Sequence, residues 1–203
     1  MTVPTTGNLD ISFSLEAGDW ETAVADVEQL METAARAAFE AAERPEILGN
    51  APAEMSLVLA DDALVQTLNR DYRDKDKPTN VLSFALLDGS DDSDDDTDDA
   101  LARDEGMPIL IGDVILAFET VQREAREQGK SIENHLTHLV IHGVLHLLGY
   151  DHQSDPDADR MERLETSILA RMGIADPYSA NPAKSAGAEG ETGADGATTL
   201  QPI

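Results

Sequence analysis

Residues 131–152 read SIENHLTHLVIHGVLHLLGYDH, and all five histidines of the chain fall inside this stretch. Ser131 can cap a helix at the front, with Asn134 in its first turn, and Gly149 can end one at the rear. Between them Ile132, Leu136, Leu139, Val140, Ile141, Val144, Leu145, Leu147 and Leu148 leave almost no polar surface. A helix that is apolar nearly all round belongs in the middle of a fold, so this one is expected to be the buried centre of the domain. At 100° per residue, His135, His138, His142, His146 and Gly149 project into one stripe about 80° wide. The imidazoles would be among the few polar groups of a buried helix, and buried polar groups need partners. Two imidazoles four residues apart, about 6 Å along the axis, can converge on one cation.

The chain then turns through Tyr150 and Asp151 and delivers His152 from outside the helix. His142, His146 and His152 thus form a His-x3-His-x5-His pattern. Three neutral ring nitrogens leave one tetrahedral position open, which is what a catalytic zinc site requires. His135 and His138 share the stripe but are expected to orient neighbours or fill the core rather than bind metal. The spacing equals that of metzincin proteases, in which the residue after the first histidine is the glutamate that serves as general base. Here Gly143 stands there, which weakens a protease reading, and Met172 reads as core rather than as a Met-turn.

Working outward, Ile11, Phe13 and Leu15 alternate as in a strand, and Asp19 can cap a long helix from Trp20 to about Glu43. Met55 to Ala60 reads as a second strand, and Asp61 or Asp62 then caps a short helix to about Tyr72. Val81 to Leu87 and Ile109 to Phe118 are two further strands, too apolar for both to lie at a sheet edge. Helices over about Glu119–Gln128 and Asp155–Met172 flank the histidine helix. The expected fold is α+β: a single domain over residues 8–178, with a mixed sheet of about four strands packed with about five helices.

The 203 residues contain no cysteine, so disulfides, thiolate zinc sites, iron–sulfur clusters and cysteine nucleophiles are excluded. Any metal must be held by His, Asp or Glu. Lys plus Arg number 14 against 41 Asp plus Glu, a formal charge of −27, which argues against a protein that coats nucleic acid or anionic lipid nonspecifically. Residues 88–105 hold ten acids and one arginine and are expected to form a solvated, disordered loop; residues 179–203 read as a disordered low-complexity tail. The first basic residue is Arg36, and no apolar run approaches the roughly 18 residues of a membrane span. A cytoplasmic protein without a membrane partner is the expectation.

HGVLHLLGYDH, residues 142–152, resembles the signature of the YbeY family of bacterial ribosomal RNA maturation endoribonucleases. The run RDKDKPTNVLSF, residues 73–84, resembles that family's second block, and Gly112-Asp113-Val114-Ile115 its Gly-Asp-Ile strand. Two departures stand out: Ala85 replaces the family's usual proline, and the acidic stretch lengthens the loop that follows. The resemblance implies one zinc ion per chain on His142, His146 and His152, with Arg73 lining the cleft. It also implies cleavage of single-stranded RNA, in maturation of the 3′ end of small-subunit (16S) ribosomal RNA. Implied partners are RNA, the small ribosomal subunit and a ribosome-assembly GTPase.

Chemistry is consistent with these roles. Charge that accumulates on phosphoryl oxygens is stabilised by a metal and by a planar guanidinium, and Arg73 offers the latter. Residues 70–77 set Arg70, Arg73, Lys75 and Lys77 against three aspartates, the least acidic patch near any motif. The alternative for Arg73 is a surface ion pair with Asp74 or Asp76. Asp151 can orient an imidazole, while Thr79, Asn80 and Ser83 read as capping the Pro78 turn or as binding phosphate. Two other classes compete: a metzincin-like metallohydrolase, disfavoured by Gly143, and a ribosome-associated binding protein with a structural zinc, which would need a fourth ligand such as His138 or Asp151.

Overall fold

The computed structural model describes residues 9–87 and 107–179. The expectations for the acidic stretch 88–105 and for residues 180–203 of the tail therefore lie outside the described residues. Among the described residues ten elements follow in order: β1 (Leu9–Leu15), α1 (Trp20–Ala23), α2 (Val27–Ala41), β2 (Ala53–Ala60), α3 (Asp62–Arg73), β3 (Val81–Ala85), β4 (Ile109–Ala117), α4 (Phe118–Glu127), α5 (Ile132–Leu147) and α6 (Asp155–Arg171). The four strands form one mixed sheet in the order β1-β2-β4-β3. β1 runs parallel to β2 and β2 to β4, whereas β3 is antiparallel to β4. The α+β expectation holds, with β2 and β4 inside the sheet and β1 and β3 at its edges.

Alternation along the central strands serves two layers. Leu57, Leu59, Val114 and Leu116 belong to the main core, together with the apolar residues of α2 and α5. Ala60, Ile115 and Ala117 form a smaller cluster with Val65 of α3. Sandwiched in this way, α5 packs on β3 and β4 below it and on α2, α4 and α6 around it. Its approach to the sheet is close. A Cβ at Gly143 would lie 2.7 Å from Val114 Cγ1 and 3.2 Å from Ser83 Oγ, so only glycine brings the turns that carry His142 and His146 this near β4 and β3. Gly112 on β4 is constrained likewise, with φ 134° and a would-be Cβ 2.0 Å from the Phe84 carbonyl oxygen.

One helix departs from expectation. The run from Trp20 to Glu43 is broken: α1 ends at Ala23, and Asp26 turns left-handed at φ 49° before α2 begins. Asp19 makes no side-chain cap bond. The break has a physical cause in Trp20, whose indole N–H donates to the Ala60 carbonyl at 3.1 Å and whose ring meets Phe118 edge-on at 5.1 Å. That turn is tied to the end of β2, while α2 must lie against α5, and aspartate tolerates the left-handed bend between them better than most residues. The other caps are as read. Asp61 Oδ1 accepts from Leu64 N at 2.8 Å, Ser131 Oγ from Asn134 N at 3.2 Å, and Gly149 closes α5 at φ 85°. Met172 packs against the main core.

Candidate metal centre

α5 presents His142 and His146 one turn apart, and the loop after Gly149 brings His152 to the same point. One ring nitrogen from each lies within 4.8 Å of the other two, and no other His, Asp or Glu joins this group among the described residues. His142 Nε2 and His146 Nε2 are 3.1 Å apart. Their other nitrogens are spoken for. His142 Nδ1 faces Glu165 Oε1 at 2.8 Å, and His146 Nδ1 faces the Tyr150 carbonyl at 2.9 Å. Both partners are acceptors, so both Nδ1 atoms carry hydrogen, and when both rings are neutral their Nε2 atoms present lone pairs to one another.

Two lone pairs at contact distance repel unless a cation lies between them. Ligand nitrogens of a tetrahedral zinc, at 2.0–2.1 Å from the ion, stand about 3.3 Å apart. The three histidines therefore fit a divalent metal, and they constitute a metal-binding group. His146 is suited to it in a second way: burial first, then charge on His142 and His152, pushes its pKa down to about 4, so it stays neutral near pH 7.

The loop that carries Tyr150 is itself braced. The Tyr150 hydroxyl accepts from the Glu43 N–H at 3.0 Å, the Tyr150 ring carries the Arg160 guanidinium at 4.9 Å, and Arg160 pairs with Glu43 at 2.6 Å. These contacts fix the carbonyl that orients His146. Asp151 does not perform that task, because its Oδ1 accepts from the His152 backbone N–H at 2.7 Å.

Glu165 on α6 is the residue that sequence reasoning missed. It is fully buried beneath the histidine stripe, where it accepts from His142, from His138 Nε2 at 3.0 Å and from the Tyr178 hydroxyl. Burial alone would raise its pKa, but the bonds from His138 and His142 override that and hold the carboxyl at about 2. Burial and the Glu165 charge push Tyr178 well above the ordinary phenol value. His138 thus bonds to a carboxylate instead of joining the triad, and so does His135, through Glu124 Oε2 at 3.0 Å.

The triad opens into a cleft of about 640 Å³ lined also by Arg73, Thr79, Asn80 and Ser83. Arg73, at the end of α3, is exposed, and its Nη2 donates to the Ser83 carbonyl at 3.0 Å while the guanidinium rests 6.0 Å from the Phe84 ring centre. This replaces the surface ion pair with Asp74 or Asp76. Asn80 does cap the start of β3: its Oδ1 accepts from Val81 N at 2.7 Å and its Nδ2 donates to Glu124 at 2.8 Å.

An α+β domain whose buried helix and following loop bring three histidines to one point, with an arginine in the same cleft, defines a protein with a metal-binding site. Comparison with known families names it more closely. The family described as Endoribonuclease YbeY matches residues 15–173. A relative from Paramagnetospirillum magneticum called Endoribonuclease YbeY is 49% identical over 173 residues, 85% of this chain and 98% of that one. A second of the same name, from Rhodospirillum rubrum, is 50% identical over 179 residues, 87% of this chain and 84% of the other. The chain belongs to the YbeY family. A solution structure from Thermotoga maritima, TM1509, aligns over 82% of this chain and 97% of its own with 21% identity and a TM-score of 0.43.

Proposed function

We propose that this chain is a zinc-dependent endoribonuclease that cuts single-stranded RNA, with His142, His146 and His152 as metal ligands and Arg73 as the phosphate-binding group. Its family is described as Endoribonuclease YbeY, and the observation that carries the local reading is the pair of Nε2 atoms 3.1 Å apart, in one cleft with a guanidinium. When bound, the metal supplies Lewis acidity toward a phosphoryl oxygen and toward water. Imidazole-only ligation and the restriction to three donors among the described residues favour zinc with a position left for substrate. That restriction also disfavours a structural zinc, since neither His138 nor Asp151 supplies a fourth ligand.

Arg73 spends one of its five N–H donors on Ser83, which holds the fork in place and leaves the others for phosphate oxygens. Glu165 and the Tyr150 carbonyl keep the two helix-borne imidazoles in the tautomer that exposes Nε2. A protease reading is supported by nothing at position 143, where even a Cβ would collide with Val114. We further propose that the substrate is the 3′ end of small-subunit ribosomal RNA, that the small subunit and an assembly GTPase are partners, and that the protein works in the cytoplasm. No helix among the described residues is long and apolar enough to cross a membrane. The test is to incubate metal-loaded wild type and Arg73→Ala with single-stranded and structured RNA and map the ends. Cuts confined to single-stranded segments and lost in the variant are expected; equal cutting by both proteins would remove Arg73 from the site.

A further inference from the structure

Beside the metal cleft, and sharing Asn80, Val81 and His142 with it, lies a second open hollow of about 490 Å³. Glu124, Lys130, His138, Leu139 and Tyr178 line it as well. Glu124 is held there by one oxygen. Its Oε2 accepts from His135 at 3.0 Å and from Asn80 at 2.8 Å, so the carboxylate is fixed in orientation by groups on α5 and at the start of β3. His138 and Tyr178 stand edge to face with ring centres 5.7 Å apart, and Leu139 and Val81 add apolar surface. The hollow therefore combines a fixed acceptor, aromatic rings and apolar walls.

We propose that this hollow is a nucleobase subsite for a base that carries an exocyclic amino group, on a nucleotide adjacent to the one whose phosphate lies at the triad. The proposal rests on the RNA-cleaving reading and extends it to base preference. A phosphate is the poorer occupant, because Glu124 and Glu127 set two carboxylates against the single ammonium of Lys130, which already donates to Gln128 at 2.9 Å. A base edge is neutral, and a carboxylate accepts from the amino groups of guanine, cytosine or adenine, whereas uracil offers it a single N3–H set between two carbonyl oxygens that repel it. Single-stranded RNA is read in this way, by stacking splayed bases on aromatic rings and bonding their edges. The spacing is suitable. His135, which holds Glu124, sits two helical turns before His142, about 10 Å along the axis, a distance that an extended strand covers within its next nucleotides.

The experiment is binding of the full metal-loaded chain to short oligouridylates in which one position at a time is replaced by A, C, G or inosine, followed by fluorescence anisotropy, with cleavage of the same RNAs read on gels. At one position, amino-bearing bases should bind about tenfold more tightly than uracil, and inosine, which lacks the guanine amino group, should lose much of the gain. Glu124→Gln, which turns an obligate acceptor into a mixed group, should reduce or invert that preference while metal content stays at one per chain. Equal affinity for all bases at every position, or a preference untouched by Glu124→Gln, would overturn the proposal. If the variant does not fold, the comparisons of guanosine with inosine and of cytidine with uridine on wild type decide. Cleavage without base preference overturns only the subsite, whereas base-dependent binding without cleavage overturns only the proposed activity.

Discussion

Arg73 is exposed at the end of a helix and makes one hydrogen bond to a strand carbonyl, so its guanidinium contributes little to stability, and the proposed function gives it the phosphate beside the triad. Lysine at this position keeps the charge but loses the planar fork that grips two phosphate oxygens. Arg73→Lys is therefore expected to lower single-turnover RNA cleavage by about 10² to 10³, the cost of removing a preorganised donor, with melting temperature and metal content unchanged. A variant that cuts at the wild-type rate would show that Arg73 is not the phosphate clamp. Glu165 works from behind the site. Glu165→Gln leaves His142 a weaker, uncharged acceptor and sets an amide N–H2 against one of the three groups that now donate to the carboxylate. Metal affinity should fall by about 10- to 100-fold in a chelator competition, the usual effect of losing a carboxylate behind a ligating imidazole.

At the scale of elements, α5 carries its own protonation behaviour. His146, ordinarily near 6.5, is held at about 4 by burial and by its histidine neighbours, so the unfolded chain takes up its proton first as pH falls. Stability from this group is complete above pH 6.5 and is lost between 6.5 and 4. Glu165, ordinarily near 4.5, is held at about 2, so its contribution is complete above 4.5 and is lost as pH falls toward 2. The metal-free chain should therefore show a melting temperature that declines below pH 6.5 and goes on declining below 4.5 toward 2. His146→Gln should flatten the upper part of that profile; an unchanged slope between pH 6.5 and 4 would refute the assignment. The helix-borne features were legible because periodicity alone places His142 and His146 on one stripe and Gly149 at its end. The bend at Asp26 was not, since no Gly or Pro marks it and its cause, the anchoring of Trp20 to Ala60, lies across the fold. Glu165 was hidden among the many acids of α6. A signal existed: it sits between Met161 and Ile168 on the face that is buried, an acid in an apolar stripe. The matching histidine stripe on α5 is what makes that placement intelligible, and the pairing of the two stripes is a tertiary fact.

At the scale of the whole molecule, a chain with a formal charge of −27 handles a polyanion only through a local site, and the fold assembles one from separated parts: α3 supplies Arg73, α5 two histidines, the following loop a third, and α6 the carboxylate beneath them. The central claim is that these parts hold one metal ion through His142, His146 and His152. Elemental analysis of the purified wild type and of His135→Ala, His142→Ala, His146→Ala and His152→Ala tests it most directly. The account predicts about one transition metal per chain in wild type and His135→Ala and a loss of metal in the three triad variants. Full metal content in all three triad variants would contradict it.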